Sequence, residues 1–117
     1  MRHYNFDDQF EGPVLSGRKR STIRRRRKQL LAKGQQLSLH VRLRTAQSKR
    51  LLVTTVKSVE AFSINKDYVP FLSGTPLTLL ETHKLAIDEG FNNAWEFVEY
   101  FAQKYGLPFS DAELIRW

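Results

Sequence analysis

The chain has 117 residues, 41% of them hydrophobic and 12% aromatic, with 19 Lys and Arg against 12 Asp and Glu and no cysteine. That length suits one domain, residues 1–117, with a modest core, and the composition is globular despite a formal net charge of +7. Without cysteine, disulfides, thiolate zinc ligands and cysteine nucleophiles are excluded.

The first residues carry Arg2 and continue through Tyr4, Asn5, Asp7 and Asp8 with no apolar run, so no signal peptide is expected. No apolar stretch approaches the roughly 20 residues of a membrane span, and a cytoplasmic protein is the expectation. Residues 4–16 are a lead-in whose apolar positions are Phe6, Phe10, Val14 and Leu15. Gly12-Pro13 should interrupt any helix there, and Gly17 should make a turn.

Ser16–Lys28 reads SGRKRSTIRRRRK and holds eight basic residues: Arg18, Lys19, Arg20, Arg24, Arg25, Arg26, Arg27 and Lys28. The rest of the chain carries 11 basic and 12 acidic residues, so the entire positive excess comes from this one segment. A polyanion or a phosphate-bearing ligand is therefore expected at the segment and not over the surface at large. The β-branched Thr22-Ile23 predicts a short strand over residues 20–24, followed by an exposed loop or short helix that ends at Lys33-Gly34.

Leu37, Leu39, Val41 and Leu43 alternate with Ser38, His40, Arg42 and Arg44, the pattern of a half-buried strand with His40 on its solvent side. Thr45–Arg50 is a polar link, and Leu51–Ile64 (LLVTTVKSVEAFSI) is long enough for one bent strand or two. Two long neighbouring strands with a polar link favour an antiparallel sheet able to close into a small barrel. Asn65–Pro76, with Pro70, Gly74 and Pro76, reads as loop. Leu77–Glu89 fits a helix with Leu80, Lys84 and Ile87 on one face, Leu79, His83 and Ala86 beside them, and Gly90 as its end. Asn93 opens a second helix with Glu96 as its capping partner, and Trp95, Val98, Phe101 and Tyr105 as its buried stripe. Gly106 and Pro108 stop it, and Glu113–Trp117 reads as a closing strand.

No phosphate loop and no G-x-S-x-G elbow occurs. His3, His40 and His83 stand apart without cysteine, so neither a metal nor another cofactor is expected. The arginine-rich segment has three readings: a solvated loop, a non-specific polyanion patch, or a nucleic-acid groove. Phosphate contacts from Arg and Lys favour the last. Within it, Gly17-x-Lys19-x-x-Thr22-x-Arg24 sets a hydroxyl among cations. Thr22 there is an anion-binding donor, a nucleophile if a nearby amine takes its proton, or simply a strand-forming threonine. Trp95, Phe97 and Tyr100 are candidates for stacking on bases, with Trp95 better placed in the core.

GRKRSTIR resembles the G-x-K-x-x-T-x-R signature of ASCH domains, small β-barrels related to the RNA-binding PUA domains. Lys33-Gly34 before a strand, Ala86-Ile87-Asp88-Glu89-Gly90-Phe91 against an A-x-x-E-G-F stretch, the helix of Trp95–Gly106 and the terminal GLPF…LIRW extend the resemblance over nearly the whole chain. Arg20, where threonine is common, and the basic Arg25–Lys28 depart from it. The resemblance implies an α+β fold, a small PUA-like barrel with two principal flanking helices, and RNA or a nucleoside as partner. Similar small bacterial proteins are amidohydrolases that deacetylate acetylcytidine with a Lys, a Thr and a Glu. By motif position these are Lys19, Thr22 and Glu89, with Arg24 as oxyanion or phosphate ligand. Arg18, Arg20, Arg25, Arg26, Arg27 and Lys28 are then the nucleic-acid-binding candidates. Other relatives bind RNA without catalysis or are ribonucleases, so these alternatives stay open. Lowering of the Lys19 pKa is expected from repulsion by Arg18, Arg20 and Arg24.

Overall fold

Alternation places Leu37, Leu39 and Val41 on one side of a strand, and all three are fully buried. The computed structural model describes residues 1–117. In chain order its elements are β1 (Arg2–Phe6), a 3-10 turn (Asp8–Phe10), α1 (Glu11–Ser16), β2 (Ser21–Arg25), β3 (Gln36–Val41), β4 (Lys49–Thr55), β5 (Ser58–Ile64), β6 (Pro70–Leu72), β7 (Thr75–Pro76), α2 (Leu79–Asp88), α3 (Ala94–Tyr105) and β8 (Phe109–Arg116). They make an α+β fold with three α-helices and two sheets. In one sheet β3 lies between β1, to which it is parallel, and β4, to which it is antiparallel. The other is antiparallel in the order β2-β8-β5-β6-β7. One core of 24 buried apolar residues joins both sheets to the helices.

The expected closed barrel is not formed. Leu51–Ile64 divides into two strands at Val56-Lys57, where the chain leaves one sheet for the other. Val56 N donates to Gln35 O and Lys57 N to Arg116 O. Between β1 and β2 the link is a side chain: Arg24 Nη2 donates to the Asn5 carbonyl at 2.7 Å. No backbone ladder joins these two strands, so the sheets stay separate.

Other departures have local causes. Gly12-Pro13 lies inside α1, because Pro13 occupies the first turn, where its missing N–H would have had no helical acceptor. The expected loop before Pro76 contains the β6–β7 hairpin, turned by Ser73 and Gly74, both at positive φ. His40 is buried, not solvent-facing, because β3 is an inner strand covered on both faces. Its Nε2 lies 3.1 Å from His3 Nδ1 and 2.8 Å from Ser38 Oγ. Burial, with His3 and Arg50 nearby, holds the His40 imidazole below its ordinary pKa.

Thr78 caps α2 in a reciprocal box with Glu81. The helix turns Thr82, Leu85 and Ala86 inward; of the residues grouped on its two expected faces only Ala86 is buried, and Leu79 is 80% exposed. Asn93 caps α3 through Glu96 N at 2.9 Å, as its spacing suggests. Phe97, fully buried, takes the core place expected of Trp95 and packs on Phe62, Phe91 and Phe101. Trp95 is 64% exposed and stacks on Tyr68 instead. The last strand is longer than expected and central, between β2 and β5. No helix is long and apolar enough to cross a membrane.

Candidate functional site

Three local signals bring the site together. Gly17, at φ 80°, ends α1 in a left-handed turn that directs Lys19 inward just before β2. The β2 ladder with β8 then fixes Thr22 opposite Ile115 and Arg24 opposite Glu113. At the end of α2, Glu89 is the C-cap and Gly90 follows at φ 96°. A Cβ on Gly90 would approach the Phe10 ring to 3.1 Å, so both the backbone angle and the contact require glycine.

Lys19 and Glu89, 70 positions apart, meet in the interior, 3% and 1% exposed. Lys19 Nζ donates to Glu89 Oε1 at 3.2 Å and to the Glu89 carbonyl at 2.7 Å. That carbonyl is one of the unpaired acceptors at a helix C-terminus, so the ammonium caps α2 as well as pairing with its carboxylate. Ser21 Oγ donates to Glu89 Oε2, leaving neither carboxylate oxygen without a donor. The Lys19 ammonium also lies 4.8 Å from the centre of the Phe10 ring. Burial pushes the Lys19 pKa down, Glu89 pulls it back up, and Arg24 adds a smaller downward push. Desolvation is therefore the main cause, and the expected repulsion from Arg18 and Arg20 plays no part.

Thr22 opens on the same cavity as this pair. Its Oγ1 accepts from Arg24 Nε at 2.9 Å, which leaves its own O–H free to donate. No hydrogen bond joins Thr22 to Lys19, whose bonds run to Glu89. The Arg24 guanidinium sits 4.8 Å from the Phe6 ring centre and 5.0 Å from that of Tyr4, held against aromatic faces. The cavity measures about 30 Å³, the scale of one or two waters. Exposed Asn5, Asp7 and Lys104 also line it, so it reaches the surface. Tyr100, another wall residue, donates its hydroxyl to Asp7 Oδ2; burial and that carboxylate push its pKa well up.

Lys19, Thr22, Arg24 and Glu89 are thus brought together. The remaining basic candidates are exposed and dispersed. Arg18 and Arg20 line a cleft with Lys57 and Arg116. Arg25 lies over the Tyr105 ring at 5.1 Å, Arg26 borders a hollow beside Asp111, and Arg27 lies over Tyr4 at 4.7 Å. None of these, nor Lys28, forms an ion pair. No group of three His, Cys, Asp or Glu side chains is placed to hold a metal ion. Of the aromatic candidates for base stacking, Tyr100 lines the cavity, Phe97 is core, and Trp95 lies outside the cavity wall. Sequence reasoning missed Ser21, adjacent to the matched threonine, because strand alternation predicts opposite environments for neighbours and both are buried. Asn5 carries no signal that would have singled it out for this cavity, whereas Tyr100 was a stacking candidate. Comparison with known protein families, curated proteins and solved structures finds no match to this chain.

Proposed function

We propose that the chain is a PUA-like protein of the ASCH type whose cavity accepts the acyl end of an N4-acylated cytidine and hydrolyses its amide. The observation that carries this reading is the Thr22 hydroxyl, held by Arg24 and opening on the same cavity as the buried Lys19–Glu89 pair. A cavity of about 30 Å³ suits a two-carbon acyl group, with the pyrimidine left at the mouth beside Tyr100 and Tyr105.

In such a site desolvation favours the neutral amine of Lys19, which serves as the base with Glu89 beside it. Thr22 Oγ1 attacks the amide carbonyl carbon as Lys19 takes its proton, and the Arg24 guanidinium stabilises the oxyanion. The exocyclic nitrogen leaves as the amine of cytidine with a proton from Lys19. Water, deprotonated by the same pair, then releases acetate from Thr22. One water is consumed, and cytidine and acetate are the products.

A second reading is favoured by a different observation: Lys19 is fully engaged with Glu89 and makes no bond to Thr22. On that reading the pair clamps α2 to β2 and the cavity binds a nucleoside or RNA without chemistry. A ribonuclease has less support, since no histidine lines the cavity. Incubation with N4-acetylcytidine decides between them. The hydrolase reading expects cytidine and acetate to appear, with Thr22→Ala reducing turnover by about 100-fold or more while the fold is retained. Wild-type turnover equal to that of Thr22→Ala would exclude the nucleophile, and no turnover at all leaves the binding reading.

A further inference from the structure

Next to the cavity lies a second, larger concavity of about 530 Å³, and Asn5 and Arg24 line both. Its walls carry Arg2, Arg24, Arg27 and Arg44, with His3 at one side, and no Asp or Glu among them. Two of these cations, Arg2 and Arg44, come from outside the arginine-rich segment. Each is presented by local structure. Arg2 is buried and anchored on the Gln29 carbonyl at 2.6 Å. Arg27 leans on the Tyr4 ring and donates through Nη2 to the His3 carbonyl at 3.3 Å. Arg44 projects from a turn in which it and Arg42 have positive φ, and Asn5 Oδ1 secures that turn by accepting from Leu43 N at 2.8 Å.

The other clusters of charge have carboxylates among them. Arg42 and Lys49 are paired with Asp8 and Glu11, and the cleft of Arg18 and Arg20 contains Asp88. Here Arg24, Arg27 and Arg44 have no carboxylate partner, and each guanidinium keeps unused donors in a concave polar site. A neutral ligand would leave those charges facing each other, whereas a phosphate would neutralise them with charge-assisted, bidentate hydrogen bonds.

We infer that this cleft is the phosphate subsite of the cavity, so that the ligand is a nucleotide or an RNA strand and not a free nucleoside. The inference rests on the nucleoside reading of the cavity given above. Arg24 stands at the junction, with its Nε toward Thr22 and its Nη2 toward the β1 carbonyl of Asn5. The base end of the ligand enters on the Thr22 side and its phosphate lies on the side of Arg27 and Arg44.

The test uses ligands without an acyl group, so that it does not depend on turnover: cytidine, cytidine 5′-monophosphate and a short single-stranded oligocytidine RNA. Affinities are measured for the wild type, for Arg27→Ala/Arg44→Ala, and for Lys66→Ala/Lys84→Ala, which removes the same charge from exposed positions elsewhere. The phosphate should improve wild-type affinity over cytidine by at least about tenfold. That gain should vanish in the arginine pair and persist in the lysine pair. A gain with the monophosphate identifies a nucleotide subsite, and a gain with the oligonucleotide alone identifies a strand. For RNA, the slope of log affinity against log salt should flatten by about 0.7 for each arginine–phosphate interaction removed. Equal affinity for all three ligands, or equal loss in both double variants, would overturn the inference. A wild type that gains from phosphate but releases no acetate would refute the hydrolase and keep the subsite. One that deacylates acetylcytidine but gains nothing from phosphate would do the reverse.

Discussion

Glu11 and Glu89 each sit at a helix end and each meet cations, yet their surroundings differ in every respect that matters energetically. Glu11, at the start of α1, takes Arg42 at 3.2 Å and Lys49 at 3.3 Å where water reaches all three side chains. Glu89, closing α2, takes Lys19 and Ser21 in the interior and offers its own carbonyl to the same ammonium. For the first group, water replaces any partner that is removed. The second is almost wholly withdrawn from bulk solvent, so its donors and acceptors depend largely on one another. The contrast teaches that a buried ion pair says little about stability on its own, since desolvation opposes the attraction. What it establishes is a demand for completeness. That demand holds β2 and α2 in one geometry beside the cavity.

The largest effect should come from breaking the buried group on one side. Glu89→Ala leaves the Lys19 ammonium without its carboxylate partner and the Ser21 hydroxyl without its acceptor, and should cost about 3–5 kcal/mol in urea denaturation. Lys19→Met/Ser21→Ala/Glu89→Leu, which removes all three polar side chains together, should regain most of that loss. If the triple variant were no more stable than Glu89→Ala, the completeness argument would fail.

A smaller effect concerns pH. Burial lowers the Lys19 pKa in the folded chain, so between that lowered value and about 10.4 the unfolded chain holds more protons. Stability should therefore rise with pH across this window, and the cost of the buried charge is fully present below it. The wild type should gain in urea midpoint relative to Lys19→Met as pH is raised from about 8 toward 10. A constant or shrinking difference would mean that Glu89, and not desolvation, governs the amine.

The smallest effect belongs to the surface group. Hydrogen bonding by Lys49, and secondarily by Arg42, holds the Glu11 carboxyl below its usual range. Its contribution is present above the unfolded pKa of about 4.3 and is lost as pH falls through the lowered folded value. Glu11→Ala should shift the denaturation midpoint far less than Glu89→Ala does, and about 1 M salt should erase the difference between Glu11→Ala and the wild type. A loss matching that of Glu89→Ala would dissolve the comparison.

Much of the fold could be read from short-range pattern. Thr22-Ile23 marks β2, the leucine alternation marks β3, and Asn93 with Glu96 marks the start of α3. Thr78 with Glu81 is the same kind of signal and sets the start of α2 just inside the expected range. Errors arose where burial depends on a neighbour not adjacent in sequence. His40 reads as exposed until β1 and β4 flank its strand, and Leu79 and Ala86, grouped together by spacing, part company once α2 turns its Thr82 and Ala86 side inward. The hairpin of β6 and β7 escaped notice because its prolines and glycine resemble an irregular loop. At the site, the type and spacing of Lys19, Thr22 and Arg24 were legible, as was the resemblance that nominated Glu89. Ser21 was not, since alternation argues against two adjacent buried side chains.

Residue chemistry alone dictated a positive excess confined to thirteen residues, Ser16–Lys28, and the local punctuation that starts and stops each helix. These follow from charge and backbone preference within a few residues. Folding decided where that charge would act. It placed Lys19 in the interior, sent Arg18 and Arg20 to one cleft and Arg24 and Arg27 to another, and brought Arg2 and Arg44 to complete the second. Strand direction, side-chain alternation and the meeting of Lys19 with Glu89 across 70 positions set that distribution. Desolvation and electrostatic compensation depend on distance through space, which no short window of sequence contains.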